Sequence, residues 1–231
     1  MTRTALILAG GSHAHDFTGN GRALAALLAD HDIDATIVDT PDDAWAALSA
    51  AAADYSLFAV SGLRFRMLHE RYDAMRAQWQ YATPPAADTA LDRHLGRGGV
   101  VLSMHTGCIC FDDWPRWSAL LGRRWSWADG RMSWHPELGP VEVTPADAPA
   151  FTMVDECYTD MVDLAPFDVL ATASIPGSDP ARPHHQPAVW RRITVTGTRV
   201  AVSTLGHDHR SYADPNLRRL LDGLVDWLLV D

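Results

Sequence analysis

Short apolar runs alternating with helical patterns fill the first half of the chain. Thr4-Ala-Leu-Ile-Leu-Ala9, Ala35-Thr-Ile-Val-Asp39, Tyr55-Ser-Leu-Phe-Ala-Val60 and Gly99-Val-Val-Leu-Ser-Met104 predict four strands, each running into a polar turn. Between them, Leu24, Leu27 and Leu28 fall on one face of a helix over 21–29. Pro41 opens an Ala-rich helix reaching Ala53, at a position where a missing N–H costs little. A further helix carries Leu91 and Leu95 and stops at Gly96. Strands this continuously apolar predict a parallel sheet covered on both faces.

The second half reads differently. Trp and Pro become frequent, and short strands are expected at 141–144, 169–172, 188–196 and 200–205, the last two joined by a turn at Gly197-Thr198. Pro215 to Val230 closes the chain as an amphipathic helix with Leu217, Leu220, Leu221, Leu224, Trp227 and Leu228 at helical spacing. That helix either covers the sheet or pairs with a second copy, so a homo-oligomer stays open. Residues 64–87, rich in Arg and aromatics and broken by Pro84-Pro85, read as an insertion near the active face. The expected fold is α/β, a doubly wound, mostly parallel sheet with an antiparallel hairpin near the C-terminus, in a single domain over residues 1–231.

Composition narrows the chemistry. All 19 basic residues are Arg, so a Lys Schiff base, a pyridoxal-phosphate site and a P-loop are excluded. A net charge of −10 with Arg scattered in ones and twos argues against a nucleic-acid partner. Three Cys without paired spacing predict neither a disulfide framework nor a zinc ribbon and suit a reducing compartment; with no apolar run long enough for a membrane span, a cytoplasmic location is expected and no membrane partner.

In a doubly wound sheet, ligands bind beyond the carboxyl ends of the strands. The residues there are His13, His15 and Asp16 after the first strand, His105 to Cys108 after the fourth, and His207, Asp208 and His209 after the last. His105 occupies the turn where a nucleophile elbow would place its reactive side chain, and imidazole there suits a general acid or base better than a nucleophile. Cys108 is expected to pack. In Asp155-Glu156-Cys157-Tyr158, an extended backbone puts Glu156 and Tyr158 on one face and prevents Asp155 and Glu156 from acting as a carboxylate pair. His184 and His185 read as loop residues, His135 as a turn-setting residue before Pro136, and Trp190 as core or as a stacking floor for a pyranose ring. Trp114, Trp117, Trp125, Trp127 and Trp134 are expected to pack under the sheet edge.

These residues together resemble the ThuA-like, or trehalose-utilisation, family within the class I glutamine amidotransferase-like fold. The matching landmarks are His15-Asp16-Phe17, Gly98-Gly99-Val-Val-Leu-Ser-Met-His105, Trp134-His135-Pro136, Asp155-Glu156-x-Tyr158, Pro187-x-x-Trp190, and Leu205-Gly206-His207 before a helix ending near Trp227. The resemblance implies a flavodoxin-like sheet and a role in the metabolism of trehalose and related disaccharides, often beside oxidoreductases that make 3-keto sugars. It places His105 where amidotransferases carry Cys, so glutamine hydrolysis is not expected. The turn Thr-Gly-Cys-Ile-Cys after His105 and the 64–87 segment depart from the family's commoner pattern.

The resulting expectation is a sugar-active acid/base enzyme on a disaccharide or keto-sugar. His105, Glu156 and His207 would be catalytic, and His15, Asp16, Tyr158, Trp190 and Asp208 would bind the small carbohydrate. No cofactor or metal is expected. The alternatives are a non-catalytic sugar-binding module and a metal-dependent enzyme using His13, His15, His105 or His207 with Glu156.

Overall fold

The computed structural model describes residues 3–12, 15–127, 132–175 and 185–230; His13 and His184 lie outside them. Five parallel strands form the central sheet: β1 (Arg3–Leu8), β2 (Ile33–Val38), β3 (Leu57–Val60), β4 (Val100–Met104) and, from near the C-terminus, β11 (Arg199–Ser203). Between β4 and β11 the chain forms β5 (Arg123–Arg124), β6 (Gly139–Pro145), β7 (Phe151–Asp155), β8 (Val162–Asp163), β9 (Asp168–Ser174) and β10 (Gln186–Ile193). The large sheet runs β2-β1-β3-β4-β11-β10-β9-β6-β7, and β5 pairs with β8 apart from it. The order β2-β1-β3-β4 is that of a doubly wound, flavodoxin-like fold.

The expected hairpin is present, with Gly197 supplying the positive φ of its turn. It extends into an antiparallel flank of four strands, because β9, β6 and β7 add to β10. The sequence reading had no strand at β7. Val154 there is exposed, as on an edge strand with one face in water, and this weakens the apolar pattern.

Helices cover both faces: α1 (Phe17–Ala29), α6 (His209–Ala213) and α7 (Pro215–Leu228) on one, α2 (Pro41–Ser49), α4 (Ala86–Gly96) and α5 (Pro115–Leu121) on the other. A short α3 (Asp73–Trp79) lies within the 64–87 segment. The strands explain the division. Ala5 and Ile7 of β1 pack with Leu24, Leu27 and Leu28 of α1 and Leu221 and Leu224 of α7, whereas Leu6 and Leu8 point the other way onto Trp45, Leu48 and Leu91. Each fully buried Leu contributes about 1.5–3 kcal/mol over an exposed one.

Local signals set the helix starts. Thr40 caps α2 through Asp43 N ahead of Pro41, and Asp214 caps α7 through Asn216 N and Leu217 N ahead of Pro215. No helix among the described residues is long and apolar enough to cross a membrane.

Candidate active site

β1, β4 and β11 are parallel neighbours or near neighbours in the sheet, so their carboxyl ends open onto one edge. The turns after them carry His15, His105 and His207 to a common point, and the end of β7 brings Glu156 there. His105 Nε2 lies 3.1 Å from His15 Nε2, 3.3 Å from Glu156 Oε2 and 3.1 Å from the Tyr158 hydroxyl. His207 Nε2 is 3.4 Å from Glu156 Oε1, and His135 Nδ1 is 3.4 Å from Glu156 Oε2. Four imidazoles therefore surround one carboxylate.

Backbone geometry fixes His105. Its φ of 47° is the left-handed conformation that a non-glycine residue rarely adopts, as at a sharp strand-to-helix turn. Gly107 lets that turn close, because a Cβ there would sit 2.4 Å from the Val60 carbonyl oxygen. His105 Nδ1 donates to the Thr204 carbonyl at 2.7 Å, which leaves Nε2 facing the cluster.

Asp155 supports the same point from below and is fully buried. Its Oδ1 accepts from Glu156 N at 2.8 Å, and its Oδ2 from Gly206 N at 2.9 Å and His207 N at 3.4 Å. It thus ties the end of β7 to the turn after β11. Gly206 permits that turn with a φ of 113°. The expectation that Asp155 does not pair with Glu156 agrees with this placement, but its role as an anchor was not visible in the sequence.

Electrostatics follow from burial and proximity. Burial, reinforced by the neighbouring His105 and His207, lowers the His15 pKa to about 3. Burial works against ionising Glu156, but His105, His135 and His207 outweigh it and bring its carboxyl to about 2. Burial also opposes charge on His105, and there Glu156 and Asp155 prevail and raise its pKa. Tyr158 is held well above the ordinary phenol range by burial beside Glu156.

A cavity of about 250 Å³ opens over this centre. His15, His135, Glu156 and Tyr158 are among its lining, and His105 and His207, outside the lining, reach Glu156 at 3.3 and 3.4 Å. Phe65, Tyr72, Trp125 and Trp127 form an aromatic wall, with Phe65 and Trp127 stacked at 5.1 Å and Trp125 edge-on to Tyr158 at 5.2 Å. The 64–87 segment supplies Phe65, Met67, Arg71, Tyr72 and Met75 to the lining.

Of the residues expected in the site, His15, His105, Glu156, Tyr158 and His207 come together. Trp190 does not, and this is a correction: it is wholly buried, packs against Phe167, and donates Nε1–H to the Leu121 carbonyl at 2.9 Å. It lies on β10, which runs inside the large sheet between β11 and β9. Asp16 is also elsewhere. It caps α1 through Gly19 N, lies 3.5 Å from His209 Nδ1, and lines an adjoining cleft that shares Ser12 and His15 with the cavity. Asp208 stays behind His207, 3.6 Å from its Nδ1, where it caps α6 and pairs with Arg210.

His135, Trp125 and Trp127 were undervalued by the sequence reading. Trp114, Trp117 and Trp125 pack in the core as expected, Trp125 and Trp127 also line the cavity, and Trp134 is exposed rather than packed. The signal for His135 was its place between Trp134 and Pro136. Cys108 packs as expected, its Sγ 3.1 Å from the His105 carbonyl oxygen.

Known proteins share this arrangement at the level of the fold. The chain superposes on the crystal structure of a ThuA-like protein from Parabacteroides merdae with a TM-score of 0.74 at 16% identity, over 99% of this chain and 90% of that one. A ThuA-like protein from Bacteroides uniformis gives 0.66 at 15% identity, over 99% and 91%. A search of curated proteins found no match. The family model described as "Trehalose utilisation" matches residues 5–228, a span that runs from β1 through the site turns to the end of α7. On that match the chain belongs to the ThuA, or trehalose-utilisation, family.

Proposed function

We propose that this protein is a carbohydrate-active enzyme that performs acid/base chemistry on a disaccharide or keto-sugar. The observation that carries the reading is the position of Glu156, a carboxylate encircled by imidazoles and set in the floor of an aromatic-walled cavity. Flat apolar walls stack on the C–H faces of a sugar ring, and a few convergent polar groups orient its hydroxyls. Small-molecule sites span roughly 300–1,000 Å³, so this cavity suits one sugar unit with the remainder of the ligand toward solvent.

The roles divide by position. His15, His105, His207 and Glu156 form a polar centre that attracts and polarises a hydroxyl or carbonyl oxygen of the ring. His135 sits at the cavity edge with its Nδ1 2.9 Å from the Pro136 carbonyl oxygen, which leaves Nε2 as the basic nitrogen that exchanges the substrate proton. Chemistry of this kind serves proton abstraction beside a carbonyl as well as protonation of a glycosidic oxygen.

The test is turnover by the purified protein on trehalose, other disaccharides and their 3-keto forms, followed by NMR in D₂O for deuterium incorporation and product. Wild type should turn over at least one of them. His135→Gln should lower kcat by roughly 10²–10⁴-fold, as loss of a general acid/base does, and Glu156→Gln should remove activity. Sugar binding without exchange or turnover on the whole panel would overturn the reading in favour of a non-catalytic module.

A further inference from the structure

The four inner donors are arranged as ligands. We propose that His15, His105, His207 and Glu156 hold a divalent first-row transition-metal ion. Their donor atoms all lie within 4.8 Å of one another, although they come from four separate segments of the chain. Two ligands bonded at about 2.0–2.1 Å to a tetrahedral ion stand about 3.3 Å apart. The observed spacings are 3.1 Å for His15–His105, 3.3 Å from His105 to Glu156 Oε2, 3.4 Å from His207 to Glu156 Oε1 and a wider 4.0 Å from His15 to Glu156 Oε2.

Hydrogen bonding alone leaves this cluster unsatisfied. Glu156 Oε2 is buried, on a side chain only 8% exposed, and it has no hydrogen-bond partner although nitrogens of His105, His135 and His15 lie within 4.0 Å. An orphaned buried carboxylate oxygen is costly, and a cation among these atoms removes the cost. His15 and His105 turn Nε2 atoms toward each other; the pair either shares one proton or directs both lone pairs at a common ion.

Ligating imidazoles give their other nitrogen to an outer partner. His105 has such a partner, giving its other nitrogen to the Thr204 carbonyl at 2.7 Å, and the Asp208 carboxylate stands 3.6 Å from His207 Nδ1, beyond hydrogen-bond distance. Three imidazoles and one carboxylate suit zinc, iron, cobalt or nickel rather than calcium or magnesium. The thiols are not involved, since Cys108 and Cys110 point their Sγ atoms at the carbonyls of His105 and Gly62.

This inference stands on the donor geometry and does not require that the substrate be a sugar. His135 is outside the ligand set and remains the proton carrier of the proposed reaction.

The test uses the full chain, treated with a chelator, dialysed, and titrated with Zn²⁺ by calorimetry and with Co²⁺ by visible absorption. One equivalent of each should bind, and Co²⁺ should give the intense d–d bands of a site without inversion symmetry. His15→Ala and His207→Ala should each weaken Zn²⁺ binding by more than about 100-fold, beyond the roughly 10–100-fold cost of losing an outer partner. His135→Ala should retain the site. Circular dichroism of each variant separates loss of ligand from loss of fold, and an unfolded variant is replaced by His→Gln at that position. No Zn²⁺ binding by folded wild type at 100-fold excess, or binding unchanged in folded His15 and His207 variants, would overturn the proposal. Sugar turnover that persists in metal-free protein would overturn a catalytic need for the ion but not the sugar reading. Stoichiometric binding without any sugar turnover would do the reverse.

Discussion

Asp155→Asn isolates the contact that joins the two halves of the site. In the wild type one carboxylate oxygen accepts from Glu156 N and the other from Gly206 N and His207 N. Asn keeps one acceptor oxygen and replaces the other with an NH₂ group. If that group faces Glu156 N, one buried donor loses its partner; if it faces Gly206 and His207, two do. Each orphaned buried donor costs about 1–3 kcal/mol, and the facing N–H dipoles repel, so the substitution should destabilise the protein by about 2–4 kcal/mol. For a chain of this size that corresponds to a fall in Tm of roughly 5–15 °C. Urea denaturation followed by tryptophan fluorescence and circular dichroism gives the free energy, with exposed Asp147→Asn as a control expected within about 0.5 kcal/mol of wild type. A change below about 0.5 kcal/mol for Asp155→Asn, with an unaltered denaturant slope, would refute the reasoning.

Three other outcomes follow from the same contacts. Trp190→Ala should cost about 3–5 kcal/mol in a urea melt, whereas Trp190→Phe should leave the KM for any sugar unchanged; a raised KM with unchanged stability would return Trp190 to the substrate site. Burial pushes the Cys108 thiol far up, Cys110 to about 12 and Cys157 to about 11, so iodoacetamide at pH 8 should label none of them in the native protein, and rapid labelling of Cys108 would contradict its packing role. Burial works against ionised Asp222, but His31 and Arg218 prevail and depress its pKa, so its contribution is present at neutrality and lost in acid. Asp222→Asn should cost about 0.5 kcal/mol at pH 7, and the gap from wild type should begin to shrink below the unfolded carboxylate value of about 3.9 and vanish once pH has fallen through the lower folded value; a gap undiminished across that whole range would refute the pairing.

The parts of the fold and site that could be read from the chain are those governed by local pattern. Continuous apolar runs mark β1 to β4 and period-3.6 spacing marks α7, and the rule that ligands meet strand carboxyl ends points to His15, His105 and His207. Glu156 and Tyr158 were placed together by their alternation on an extended segment. What stayed hidden depends on long-range placement. Asp155 acts through backbone N–H groups some fifty residues away, and no local pattern announces that. Trp125 and Trp190 belong to one buried cluster, yet only Trp125 also lines the cavity, because β10 lies inside the large sheet while Trp125 follows the short strand β5 outside it. The convergence of four donors to metal-like spacing is likewise a tertiary property, since the helical His spacing of a local zinc motif is missing.

A crystal structure with a 3-keto disaccharide bound tests the central claim most directly. The account predicts one sugar ring against Trp125, Trp127 and Tyr72, with a ring oxygen substituent directed into the His15–Glu156 centre and a hydroxyl or C–H within reach of His135. A sugar seated in the adjoining cleft beside Asp16 and Asp39, with the cavity over Glu156 left to solvent, would contradict it.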